Sequence, residues 1–264
     1  MTGIGSQVRS GPSTHAMSTT AQAAIKEQAA REASGQRVAP APPGPPPGQA
    51  QQKRISTPDN RIPYQAWARA KKTEYIGGQV GNPKGIEKME YIDPVMRCLP
   101  AGIPRAAHSV YAYNGLHFLQ PPGYVVILTE WNHLYRIIPI DNRPHVSKNI
   151  KLWMGDSRAH WEDRTLVIDV TNHNEQTWFD QVGAFHSSNL RVTERWKFVG
   201  PERIDYTATI EDPQVFTKPW VIGMNYARNR DKTYEQMESA VWEGNKAVEL
   251  MVHPTGTPGR AGSM

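Results

Sequence analysis

From residue 124 onward, apolar and polar positions alternate with a period of two, the signature of strands that bury one face. The longest run, "YVVILTEWNHLYRIIPID" (124–141), places Val125, Ile127, Thr129, Trp131, His133, Tyr135 and Ile137 on one face. Val126, Leu128, Glu130, Asn132, Leu134, Arg136 and Ile138 form the other. It reads as one long strand, apolar at its ends and polar in its middle, that crosses a polar cavity. Three hairpins follow. Residues 151–161 and 166–174 are joined at "EDRT", with Asp163 as turn former. Residues 189–200 and 204–213 are joined at "PER", and 220–228 pairs with 232–244. Meander hairpins with short turns predict a mainly β fold: an antiparallel sheet curled into a barrel or sandwich, with a lipocalin-like barrel favoured.

The alternation stops on either side. Residues 1–60 are rich in Gly, Ala and Pro and read as a largely disordered tail. Within it, "STTAQAAIKEQAAREASG" predicts a short helix over 19–34, with an apolar face made mostly of alanine. "APAPPGPPPGQAQQ" (39–52) predicts an extended polyproline spacer. Residues 61–252 are expected to form a single β-rich domain, and 253–264 a disordered C-terminal tail. Tyr64, Trp67 and Ala68 give 61–76 a weak helical stripe. The three prolines of 91–109 predict an ordered but irregular loop.

Composition sharpens this. A mean hydropathy of -0.60 agrees with a partly unstructured chain. Net charge is +5. Residues 61–264 carry 24 Lys and Arg against 22 Asp and Glu, so the expected folded part is nearly balanced. No basic run tracks phosphates, so no nucleic-acid partner is expected. The one cysteine, Cys98, allows neither an intrachain disulfide nor a Cys-based zinc site. No apolar run is long enough to span a membrane, and residues 1–30 lack the pattern of a signal peptide.

No nucleophile elbow, phosphate loop, dinucleotide fingerprint or HExxH motif is present, so no cofactor is implied. What stands out is a concentration of polar residues. Six of the nine histidines (His117, His133, His145, His160, His173 and His186) fall between residues 117 and 186, among Glu130, Asp156, Asp169, Asp180 and Glu194. A curled sheet can bring such residues into one cavity. In 189–200, Leu190, Val192, Glu194, Trp196 and Phe198 share a face that is apolar except for Glu194. A carboxylate there needs a partner or a function. An ion pair with Arg136 or Arg158 and a catalytic carboxylate both fit. Asp169 falls on an outer or mixed face, and His173 in a loop.

The resulting candidates are Glu194, His186 and His133 for acid–base chemistry. Asp156, Arg158, Arg136, Trp131, Tyr135, Trp161 and Trp178 are the candidates for substrate binding. A metal set of His133, His186 and Glu194 lacks HxH or HxxxH spacing, so no metal site is assigned.

"CLPAGIPR", "VVILTEWNH", "WMGDSRAHWEDRTLVIDV", "TWFDQVGAFHSSNLRVTERW" and "YTATIEDPQVFTKPW" together resemble the ordered motifs of a large family of uncharacterised bacterial proteins. The resemblance covers about residues 91–220. "HWEDRTL" departs from the family's Gly-Asp turn. The resemblance implies an exported protein, periplasmic or secreted, and supplies no activity. It implies that Asp156, Ser157, Trp161, Asp169, Trp178, Asp180, His186, Ser187, Glu194, Arg195, Asp212, Pro213 and Trp220 recur.

Three functions fit the sequence. One is a metal-free acid–base enzyme on a small organic molecule: a hydrolase, lyase or isomerase. The second is a non-catalytic lipocalin-type binder of an aromatic, lipid or sugar ligand. The third is an interaction protein recruited through its proline-rich tail.

Overall fold

The structure, a computed structural model, describes residues 5–6, 54–80, 86–108, 115–236 and 245–252. The helix expected over 19–34, the proline-rich segment 39–52 and the tail 253–264 lie outside the described residues, as does 237–244.

The strands form two antiparallel sheets. The smaller contains β1 (Gly5–Ser6), β3 (Leu116–Leu119), β4 (Tyr124–Thr129) and β5 (Tyr135–Pro139), in the order β1-β3-β4-β5. The larger contains β2 (Arg54–Ile55), β6 (Asp156–Glu162), β7 (Thr165–Thr171), β8 (Arg191–Phe198), β9 (Arg203–Glu211) and β10 (Trp220–Ala227). Its order is β2-β10-β9-β8-β7-β6. The mainly β, antiparallel expectation is met. Among the described residues no backbone ladder joins the sheets, so they do not close on each other by hydrogen bonding; β5 lies alongside β6 without pairing to it.

Two expected hairpins form, with shorter strands than read. β6 and β7 pair from Asp156–Thr171 to Glu162–Thr165, and Asp163 takes a left-handed φ of 50° in the tight turn. β8 and β9 pair from Arg191–Glu211 to Phe198–Ile204. β10 takes its partners from β9 and β2 instead of from residues C-terminal to it, and the described residues 229–236 hold no strand. Strand pairing therefore extends N-terminal of the expected domain start at 61, with Arg54–Ile55 on β10 and Gly5–Ser6 on β3.

The long strand expected over 124–141 is instead a hairpin. Its polar centre folds into a short 3-10 turn, Trp131–His133, with left-handed φ at Asn132 (57°) and His133 (35°). Asn tolerates that region better than other non-glycine residues, because its short polar side chain bonds locally. The turn exchanges the faces. Val125 and Ile127 now stand opposite Ile138 and Arg136, whereas Tyr135 and Ile137 join Leu128 and Val126 on the outer side. Hence Arg136 is buried, while Tyr135 and Ile137 are exposed.

Both sheets turn their inner faces to one core. Phe118 of β3 meets Trp196 of β8 edge-on at 5.1 Å. Across the larger sheet the inner residues line up in register. One row runs Ala159, Ile168, Glu194, Ala208, Ile222, and the next runs Ser157, Val170, Val192, Ile210, Trp220. Helix α1 (Ala66–Val80) lies at the edge of this core. Ala68, Lys72 and Ile76, spaced four apart, form its buried stripe, and Trp67 stays half exposed. Residues 86–108, which include most of the irregular loop expected over 91–109, hold three short 3-10 turns, and α2 (Ala247–Val252) packs against them through Met251.

Candidate functional site

One polar part of the interior is built around Glu194. Strand alternation points it inward, in a row otherwise made of Ala159, Ile168, Ala208 and Ile222. The alanine beside it, Ala208, leaves width for a large partner from the opposite sheet. That partner is Arg136 of β5. Its Nη2 lies 2.6 Å from Glu194 Oε2 and donates to Ser157 Oγ at 2.9 Å. Tyr206, from β9, donates its hydroxyl to Glu194 Oε1 at 3.0 Å. Burial, reinforced by the Glu194 charge, pushes the Tyr206 phenol well above its ordinary value, so it remains a donor. The same two causes raise the nearby Tyr226, whose hydroxyl donates to the Ala107 carbonyl.

Arg136 is only partly used. Among the described residues its Nε and Nη1 have no hydrogen-bond partner, although the side chain is 5% exposed. Trp196 Nε1 on β8 and Trp220 Nε1 on β10 are likewise buried without a partner. Guanidinium and indole nitrogens only donate, so these four groups are donors; Glu194 Oε2, which faces Arg136 Nη2, is the unpartnered acceptor beside them.

His173 and His186 lie together in the segment between β7 and β8, with ring centroids 5.8 Å apart. His186 is a structural brace. Its Nδ1 donates to the Ser187 carbonyl at 2.9 Å, which leaves Nε2 to accept from the Thr177 hydroxyl at 2.7 Å. Burial pushes its imidazole below the usual histidine range. Burial, then the neighbouring His186 and Arg136, pushes His173 well below it. The Val170 backbone opposes that shift electrostatically, but neither ring nitrogen of His173 makes a hydrogen bond of ordinary geometry. Gly155, with φ of 67°, lets the His173 ring come close: a Cβ there would sit 2.8 Å from His173 Cε1.

The predicted residues divide among different places. Glu194 and Arg136 meet in the core, as the ion-pair reading expected. His133 is exposed on the 131–133 turn, so it does not join the buried Glu194 and His186 as an acid–base set. Asp156 and Arg158 sit at the outer rim. There Asp156 accepts from Arg158 Nη1 at 2.7 Å and from the Val146 amide at 3.1 Å, and lies 2.7 Å from His145 Nδ1. His145 Nε2 lies 3.1 Å from Asp169, which also binds Arg191. Tyr135 is 66% exposed on the outer face of the smaller sheet, away from any interior ligand. Trp161 is partly exposed against Phe198, and Trp131 is a partly buried neighbour of the core. Trp178 is buried against Tyr75 of α1. Among the described residues no group of three His, Cys, Asp or Glu side chains could hold a metal ion.

Sequence reasoning missed Tyr206, Ser157, His145 and His173 as partners. Only Tyr206 had a usable signal, since it stands directly across from Trp196 once the β8–β9 register is fixed. No protein-family model matches this chain, and no curated protein matches it.

Proposed function

We propose that this is a small-molecule binding protein whose ligand lies between the two sheets, beside Arg136, in a cup of the lipocalin type. One observation carries the reading. Arg136 is buried, uses Nη2 on Glu194 and Ser157, and has two further nitrogens with no partner among the described residues. Leaving such groups unmade costs about 1–3 kcal/mol each, so a partner that supplies acceptors would be held tightly. Aromatic side chains around the site, Phe118, Trp196 and Tyr206, suit an organic ligand.

The geometry favours binding over acid–base turnover. Glu194 is engaged by Arg136 and Tyr206, His186 by Thr177 and Ser187, and His133 lies at the surface. Arg136, a substrate-binding candidate, already holds one anion in the Glu194 carboxylate. The motif resemblance adds an expectation of export to this proposal and no chemistry.

Native mass spectrometry of gently purified full-length protein tests it. A retained organic mass that is lost on unfolding supports the proposal. A bare mass, together with no thermal shift from a broad panel of small organic molecules, rejects it.

A further inference from the structure

Resting on the reading that a small molecule lies between the sheets, we propose that this molecule is uncharged and presents oxygen acceptors to Arg136. A ketone, ester, lactone or tertiary amide on an apolar body has this chemistry.

Two features define the class. The first is hydrogen-bonding sense. Arg136 Nε and Nη1, Trp196 Nε1 and Trp220 Nε1 are buried and unpartnered among the described residues, and all are donors. The nearby acceptors are fewer: Glu194 Oε1 takes the Tyr206 hydroxyl and Ser157 Oγ takes Arg136 Nη2, while Glu194 Oε2 faces Arg136 Nη2 in the ion pair without a hydrogen bond of ordinary geometry. A ligand rich in donors would leave Arg136 Nε and Nη1 unmet. A ligand with carbonyl or ether oxygens would satisfy groups that now have no partner.

The second feature is charge. Arg136 and Glu194, 5% and 0% exposed, cancel each other. Tyr206 stays protonated and burial holds His173 neutral, so neither adds charge. A carboxylate or phosphate placed beside Arg136 would therefore stand next to Glu194 with no unmatched cation to offset it. Burying such an uncompensated charge is far costlier than burying a neutral oxygen that receives hydrogen bonds. The interior has surplus donors without surplus positive charge, and that combination selects a neutral acceptor.

The test is titration calorimetry of the full-length protein at pH 8 with four probes of similar size. Acetophenone and N,N-dimethylbenzamide carry a neutral acceptor, benzoate carries a charged one, and toluene carries none. The Arg136 Nε–H resonance, assigned by nuclear magnetic resonance, is followed in parallel. Binding of the two neutral acceptors at least tenfold tighter than benzoate and toluene, with the Arg136 signal shifting, is the expected result. Benzoate binding as tightly as the ketone would overturn the proposal and leave the binding reading intact. So would toluene binding as tightly, or ketone binding that leaves the Arg136 signal unmoved. A molecule retained in native mass spectra that proves to be an acid would do the same. A bare native mass with none of the four probes binding removes both readings together.

Discussion

A single carboxylate on an apolar strand face forces a choice, and Glu194 makes it by pairing. Arg136 and Glu194 come from different sheets and are both buried, so each is the other's charged partner, supplemented by Tyr206 on Glu194 and Ser157 on Arg136. Removing one partner leaves a buried charge, and the expected penalty for Arg136→Met is about 3–5 kcal/mol. Adding Glu194→Leu to Arg136→Met should return most of that stability, because a buried pair is often no better than well-packed apolar side chains. Urea unfolding of the single and double variants measures both numbers. A single-variant loss below about 1 kcal/mol would mean the pair is solvated in solution. Gly155 offers a second residue-scale prediction. Its φ of 67° and the 2.7 Å separation that a Cβ would have from the Thr171 carbonyl leave no room for a side chain. Gly155→Ala should destabilise by roughly 1–3 kcal/mol through backbone strain alone, and an unchanged urea midpoint would contradict it. Glu194 was legible in sequence because alternation isolates it. Arg136 was on the correct strand, but its inward direction depended on a turn that no glycine or proline announces.

That turn shows what an alternating pattern can and cannot specify at the scale of elements. β6 to β9 were readable because "EDRT" and "PER" interrupt the alternation where the chain reverses. In 124–141 the reversal uses Glu130, Trp131, Asn132 and His133, and the apolar positions resume on the far side as if the strand had continued. A hairpin inserted this way exchanges the faces, which moved Tyr135 from candidate binding residue to exposed surface. The stretch between β5 and β6 has no regular structure and is held by side chains instead. Asp156 accepts from the Val146 amide and contacts His145, and Asn172 Nδ2 donates to the carbonyls of Ser147 and Ile150. Burial works against ionisation of Asp169, but hydrogen bonds from Arg191 and His145 hold it below its ordinary value. Asp156→Ala removes three of these contacts at once. Hydrogen exchange of the Val146 amide should then accelerate at least about tenfold, consistent with local opening that costs less than global unfolding. The β8 and β9 amides should keep their protection. Equal acceleration in the sheet would show that Asp156 supports the whole fold and not this segment.

Across the whole molecule, two neutral histidines are built into the interior, and they set how stability responds to acid. Burial is the first cause of the depressed values of both His173 and His186. The neighbouring His186 and Arg136 lower His173 further, whereas the Ser187 carbonyl and Asp212 partly restore His186. In the unfolded chain each ring takes up a proton near the ordinary histidine value of about 6.5. In the folded chain it does so only at lower pH. Between those values the unfolded state binds more protons, so stability is full above about pH 6.5 and falls as pH drops below it. Each histidine contributes a slope of up to about 1.4 kcal/mol per pH unit. Unfolding free energies measured from pH 7.5 to 5.5 should decline accordingly, and the decline should be roughly halved in His173→Phe, which cannot be protonated. A slope unchanged by that substitution would mean that the His173 ring is protonated within the fold. The sequence had placed His173 in a loop, and a loop it is: the residue joins no strand beyond a single bridge to Leu152. Its complete burial arises because the segment between β7 and β8 folds back over the core. That packing links positions distant along the chain, and period-two alternation within one strand carries no record of it.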